Sequence, residues 1–174
     1  KCKRKFVTQH PGEVHAFAHE LVHQLPQIIS DLEPHQVHSF YEATATLLSD
    51  RGAAGSNFAN ERGPLLAQLM ALPNEAWRRI TADAQRDSST LTRHDTVRDV
   101  AKITKTHCRV CAACGPLYVT QLGGIYLDLL NVYQVYSEAV ASAVHANGEM
   151  APGHGEVPAQ RAAKRENLRL NSTF

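Results

Sequence analysis

Charge of one sign is what this 174-residue chain has least of, because 18 Lys and Arg stand against 17 Asp and Glu for a formal net charge of +1. Such a balance raises no polyelectrolyte field, so electrostatics proposes neither a nucleic acid nor an anionic membrane as a partner. Strand-like alternation bounded by hairpin dipeptides is scarce, which removes the main sequence signal for a β-sheet. No run of eighteen or more apolar residues occurs, and the opening "KCKRKF" is not followed by a signal-peptide core. Of four cysteines, three crowd together as Cys108, Cys111 and Cys114. That is not the evenly used framework of a small secreted domain, and it fits a reducing compartment better.

What is present is helical punctuation. After Pro11-Gly12, Val14, Phe17, Ala18, Leu21, Leu25, Ile28 and Leu32 recur at steps of three and four, predicting one amphipathic helix that ends before Pro34. A second helix is expected over 34–49, with Val37, Phe40, Tyr41, Thr44, Leu47 and Leu48 inward and Pro34 in its first turn. Leu65, Leu66, Leu69, Met70 and Leu72 predict a third that stops at Pro73, with Asn74 capping the next, "EAWRRITADAQRD". Asp95 is the expected cap of "TVRDVAKITKTHCRVCAAC", and Gly115-Pro116 reads as an end and a fresh start. The longest helix then runs from Leu117 to Ala146 on the stripe Tyr118, Leu122, Ile125, Leu129, Val132, Tyr136, Val140 and Ala143.

Helix pairs therefore begin near positions 12, 57, 95 and 159, each with a short internal turn. The fold expected is all-α, an α-solenoid of antiparallel hairpins whose spacing suits HEAT or armadillo repeats of roughly 40 to 47 residues. Its units are 12–50, 57–90 and 95–147, flanked by the end of one repeat over 1–11 and the start of another over 158–174. The compact alternative is a six-helix bundle. Because both ends read as interrupted repeats, the chain is expected to be part of something longer and to self-associate weakly through uncovered apolar surface.

One stretch argues for catalysis. His19-Glu20-Leu21-Val22-His23 spells HExxH, and Glu42 follows after eighteen intervening residues, the zinc aminopeptidase pattern. The helical wheel weighs against it. His19 lies roughly 130° from the apolar stripe and His23 nearly opposite it, while Glu42 sits roughly 150° from the stripe of its own helix, so packing the stripes together separates all three. Pro26 also loosens the helix three residues past His23. His19, His23 and Glu42 are accordingly expected to be a decoy rather than a metal site. A metallopeptidase is the alternative function. In "HCRVCAACG", Cys108 and Cys111 extend the stripe of Val97, Val100, Ala101 and Thr104 and are expected to be small buried hydrophobes. Gly123-Gly124 lacks a GxGxxG frame and is read as a bend or a close helix approach. Neither a catalytic set nor a cofactor site emerges.

The stretches "QVHSFYEA", "LMALPNEAW", "TVRDVAKITKT", "QLGGIYLDLLNVY", "HANGEM" and "KRENLRL" closely resemble the exportins, the nuclear export receptors of the importin-β (karyopherin) superfamily. The resemblance runs nearly end to end and fits HEAT repeats from the second half of such a receptor. It implies a non-catalytic transport scaffold that shuttles between nucleus and cytoplasm, with Ran-GTP, export-signal cargo and nucleoporins as partners. It also implies that the export-signal groove and the family's reactive cysteine lie upstream, so no cysteine here inherits that role. Inner helices would be those over 34–49, 74–87 and 117–146. On them Gln36, Glu42, Arg78, Arg79 and Gln85 are the candidate partner contacts. At His19 and His23 the family has ordinary polar residues. The loops "DRGAAGSNFANERG" and "MAPGHGEVPAQ" depart most from the family pattern.

Overall fold

Steps of three and four are what the backbone obeys. The computed structural model describes residues 13–49 and 56–148, all in helices and short connections, with no strand among them. In chain order the helices are α1 (Val14–His23), α2 (Leu25–Ser30), α3 (Pro34–Ser49), α4 (Ser56–Leu69), α5 (Ala71–Arg86), α6 (His94–Cys114) and α7 (Val119–Gly148). Two 3-10 turns, Ser88–Thr92 and Gly115–Tyr118, precede α6 and α7. This is the all-α architecture of helical-repeat solenoids. The expected repeat pieces over 1–11 and 158–174 lie outside the described residues.

The described residues form two compact units, one from 13–49, 56–79 and 102–125 and the other from 80–101 and 126–148. In the first, α1, α3 and α4 pack against one another, and the Gly115–Tyr118 turn rests on α4. Their core holds Val14, Ala18, Val22, Leu25, Tyr41, Leu48, Leu66, Leu69, Met70 and Val110. Burying a leucine as completely as Leu48 or Leu69 contributes about 1.5–3 kcal/mol. In the second unit, Leu91, Val100, Val132 and Tyr136 are buried.

Four local expectations are corrected. The single helix over 12–32 is two, because Pro26 has no N–H to give; the chain closes α1 at Gln24, whose N–H reaches Glu20 O at 2.9 Å, and restarts with Pro26 in the first turn of α2. Phe17, expected inside, is 42% exposed, and Val22 is buried instead. Pro73 does not end a helix. The chain turns at Met70, and Pro73 falls in the first turn of α5, where its missing N–H has no intrahelical partner to lose. Asn74 is therefore not a cap: its Nδ2 donates to Gln121 Oε1 on α7 at 2.9 Å.

Likewise α6 begins at His94, with Asp95 inside its first turn and paired to Arg98 at 2.9 Å. The capping carboxylate is Asp87, which accepts from Ser89 N–H at 3.0 Å and starts the Ser88–Thr92 turn. Those hydrogen bonds to Ser89 hold the Asp87 carboxyl below its ordinary pKa. Gly115, at φ +55, stops α6 and Pro116 starts the next turn, as the sequence suggests.

On α7, Ile125, Val132 and Tyr136 are buried and Leu129, Val140 and Ala143 half-buried, and Tyr118 is buried in the turn before it, the expected stripe apart from Leu122, which is 39% exposed. A second apolar row, Tyr126, Leu130 and Tyr133, runs along the same helix in the open, with Leu127 beside it. A window within 94–145 reaches mean hydropathy 1.3 over 18 residues, long and apolar enough by length and composition to cross a membrane. That stretch is not one helix, since the backbone reverses character at Gly115–Tyr118.

Candidate partner-binding surfaces

The HExxH residues are placed first. His19 and His23 are exposed on α1, as is His15, whose Nε2 pairs with Glu61 Oε2 on α4 at 2.7 Å while its ring meets that of His19 edge-on. Glu42 belongs elsewhere: its Oε2 accepts from Arg109 Nη1 on α6 at 2.7 Å. Among the described residues no three His, Cys, Asp or Glu side chains gather so as to hold a metal ion.

Three further contacts accompany Glu42–Arg109 along α6. Cys114 Sγ donates to Ala45 O at 3.4 Å, and His38 Nδ1 meets Thr106 Oγ1 at 3.0 Å. Further along, His107 Nδ1 and the Tyr118 hydroxyl hydrogen-bond to each other inside the protein. Burial, helped by the charges of Lys105, Arg109 and Lys102, lowers the His38 pKa. For His107 burial alone lowers it to about 4, so both imidazoles are neutral at pH 7. Burial also pushes the Tyr118 and Tyr41 hydroxyls up.

The cysteine expectation is corrected. Cys108 is exposed and Cys111 only half-buried, while Cys114 is buried. The inward side of this part of α6 is Ile103, Thr106, His107, Val110 and Cys114. It lies about 100° around the helix from the stripe extrapolated through Val97 and Ala101, the angle of a single residue. Burial first, and Cys111 second, push the Cys114 thiol up to about 12, leaving it protonated and unreactive. Of the two readings of Gly123-Gly124, close helix approach is corrected as well, since a Cβ built at either position meets nothing within 4 Å. Neither glycine serves a close helix approach.

The five partner candidates do not converge. Gln36 turns its Oε1 back to accept from Glu33 N–H at 2.9 Å, closing the N-terminus of α3. Glu42 is committed to Arg109. The two lie about 120° apart around α3. Arg78 and Arg79 are both exposed on α5, where Arg78 Nε donates to Asn74 O at 3.3 Å.

Gln85 lies in the other unit, at a cleft that sequence reasoning missed. Thr81, Ala84, Gln85, Ser88 and Leu91 form one wall, and Asp128, Asn131, Val132 and Val135 of α7 form the other, around about 120 Å³ of water-accessible space. Its sequence signal is a pair of polar residues, Asp128 and Asn131, three apart in an otherwise apolar stretch of helix.

Helix pairs packed through apolar stripes, with their polar chemistry spread over outward faces, define a helical-repeat scaffold. Comparison with known proteins gives the family. Residues 121–174 match the family described as CRM1 C terminal. Over all 174 residues the chain is 39% identical to Protein EXPORTIN 1B of Arabidopsis thaliana, 36% to Exportin-1 of Drosophila melanogaster and 35% to Exportin-1 of Schizosaccharomyces pombe. Each match covers 100% of this chain and 16% of the relative, so the chain spans about one sixth of the length of these proteins. From end to end it carries the sequence of the exportin-1 family.

Proposed function

We propose that the chain serves as a section of a nuclear export receptor, a scaffold that, in the whole receptor, supports binding of Ran-GTP together with leucine-rich export-signal cargo and passage through the nuclear pore. The observation that carries this reading is the exportin-1 similarity along the complete chain at 35–39% identity. The architecture supports it: repeats add surface without needing a catalytic centre, and their energy comes from apolar stripes buried between neighbouring helices. On this reading α1 to α3, α4 with α5, and α6 with α7 are successive repeats, and the receptor shuttles between nucleus and cytoplasm, meeting nucleoporins in transit.

Arg78 and Arg79, adjacent cations exposed on α5, are the Ran-side contacts tested first, with Gln36, Glu42 and Gln85 as the further candidates. A chimera tests the reading. The matching section of Arabidopsis EXPORTIN 1B is exchanged for this chain, and export of a reporter bearing a leucine-rich signal is followed in cells. Restored export supports the assignment; a folded chimera that leaves the reporter in the nucleus overturns it. In the same chimera, Arg78→Glu with Arg79→Glu is expected to weaken Ran-GTP affinity at least fivefold, and unchanged affinity removes these two residues from the interface.

A further inference from the structure

We propose that the cleft between α5 and α7 is a receptor for a single basic side chain, a lysine or arginine presented by a docked protein. Size sets the first limit. About 120 Å³ of water-accessible space far exceeds the roughly 10–15 Å³ one water requires, yet falls short of the roughly 300–1,000 Å³ of small-molecule sites. One side chain fits.

The lining then selects its chemistry. At the bottom lie Leu91 and Val132, 3% and 4% exposed, with Ala84 and Val135 half-buried beside them. Gln85, Ser88 and Asn131 stand exposed at the rim, and half-buried Asp128 is the only charged group in the wall. None of the side chains of Gln85, Asn131 and Asp128 has a hydrogen-bond or ion-pair partner among the described residues. An apolar side chain would strip water from these polar groups without replacing its hydrogen bonds. A neutral amide would satisfy the rim but leave the carboxylate of Asp128 unpaired, and an acidic side chain would be repelled by it. Lysine and arginine alone combine an apolar stem, which lies along Val132 and Val135, with a cationic head for Asp128 and N–H groups for the amide oxygens of Gln85 and Asn131. The cleft's own walls carry this assignment, whichever protein presents the side chain.

The test uses the chain itself. N-acetyl-arginine N-methylamide is titrated into ¹⁵N-labelled protein while the side-chain amide signals of Gln85 and Asn131 are followed. The citrulline analogue, equal in shape but uncharged, serves as the comparison. Arginine is expected to shift both amides and to bind about fivefold more tightly than citrulline, the scale of one partly exposed ion pair. Asp128→Asn, checked for unchanged helicity and melting temperature, is expected to erase the difference between the two probes. Should the variant fail to fold, the same comparison at 20 mM and 500 mM salt replaces it, with the arginine preference expected to fall at high salt. Equal binding of the two probes, no amide shift at saturating arginine, or a preference that survives both Asp128→Asn and high salt overturns the proposal.

Discussion

Arg109 Nη1 donates to Glu42 Oε2 at 2.7 Å, joining α6 to α3 across 67 positions of sequence. The third residue of the apparent zinc signature is thereby engaged with a guanidinium. Side-chain exposure of 43% and 32% leaves the pair well screened. A double-mutant cycle with Glu42→Gln and Arg109→Gln is expected to give a coupling of about 0.5–1 kcal/mol in urea unfolding, falling in 0.5 M salt. A coupling of several kcal/mol would show that the pair is buried and the geometry described here is wrong.

Acid should unfold this protein through His107. Its native pKa of about 4 lies below the ordinary 6.5, so the neutral ring contributes stability that is fully present above pH 6.5 and is lost as pH falls toward 4. Between pH 7 and pH 5 the loss amounts to about 2 kcal/mol. His38, shifted in the same direction, adds to it. His107→Gln is expected to be less stable at pH 7 and to lose less on acidification to pH 5. Parallel pH dependences for the two proteins, measured by urea titration, would remove His107 from this role.

Glycine at positions 123 and 124 gives α7 backbone freedom with no contact in return. Each Gly→Ala change there is expected to stabilise the chain by about 0.5–1 kcal/mol, because alanine enters a helix at lower entropic cost and meets no neighbour. Thermal melting checks it, and a lowered melting temperature for either variant contradicts the open space.

The cysteines should separate by reactivity. Exposed Cys108 is expected to react with an aromatic disulfide reagent within minutes at pH 8. Buried Cys114, its thiol pushed up to about 12, should react at least a hundredfold more slowly, on the timescale of local opening. Single-cysteine variants distinguish the two, and comparable rates would mean that the Cys114 contact with Ala45 is not held in solution.

The parts of this fold that could be read from sequence are those where one helix settles the question by its own period. The inward stripes of α3 and α7 follow from spacing alone, and Gly115-Pro116 announces its own turn. Proline was harder to read, since the same residue breaks a helix at Pro26 and opens one at Pro73; the outcome depends on which carbonyls have other donors nearby. The stripe of α6 was projected through 108 and 111, one residue's rotation from the side that Val110 and Cys114 bury. Neither Glu42–Arg109 nor the cleft at Asp128 was legible, because each joins segments dozens of residues apart. HExxH was legible as a motif and as a contradiction of the wheel; what the wheel could not name was the arginine that claims Glu42.

The Gly115–Tyr118 turn leaves one consequence for how this segment tolerates insertions. A single residue added there would advance everything in α7 by about 100°, swinging Ile125, Val132 and Tyr136 out of the interior and bringing Gly124, Asn131 and Val135 toward it. Seven added residues, two whole turns, would nearly restore the facing. The length of this joint is therefore fixed to the residue, and so are two of its side-chain choices: Gly115, whose φ of +55 disfavours any side chain, and Tyr118, which is buried against His107.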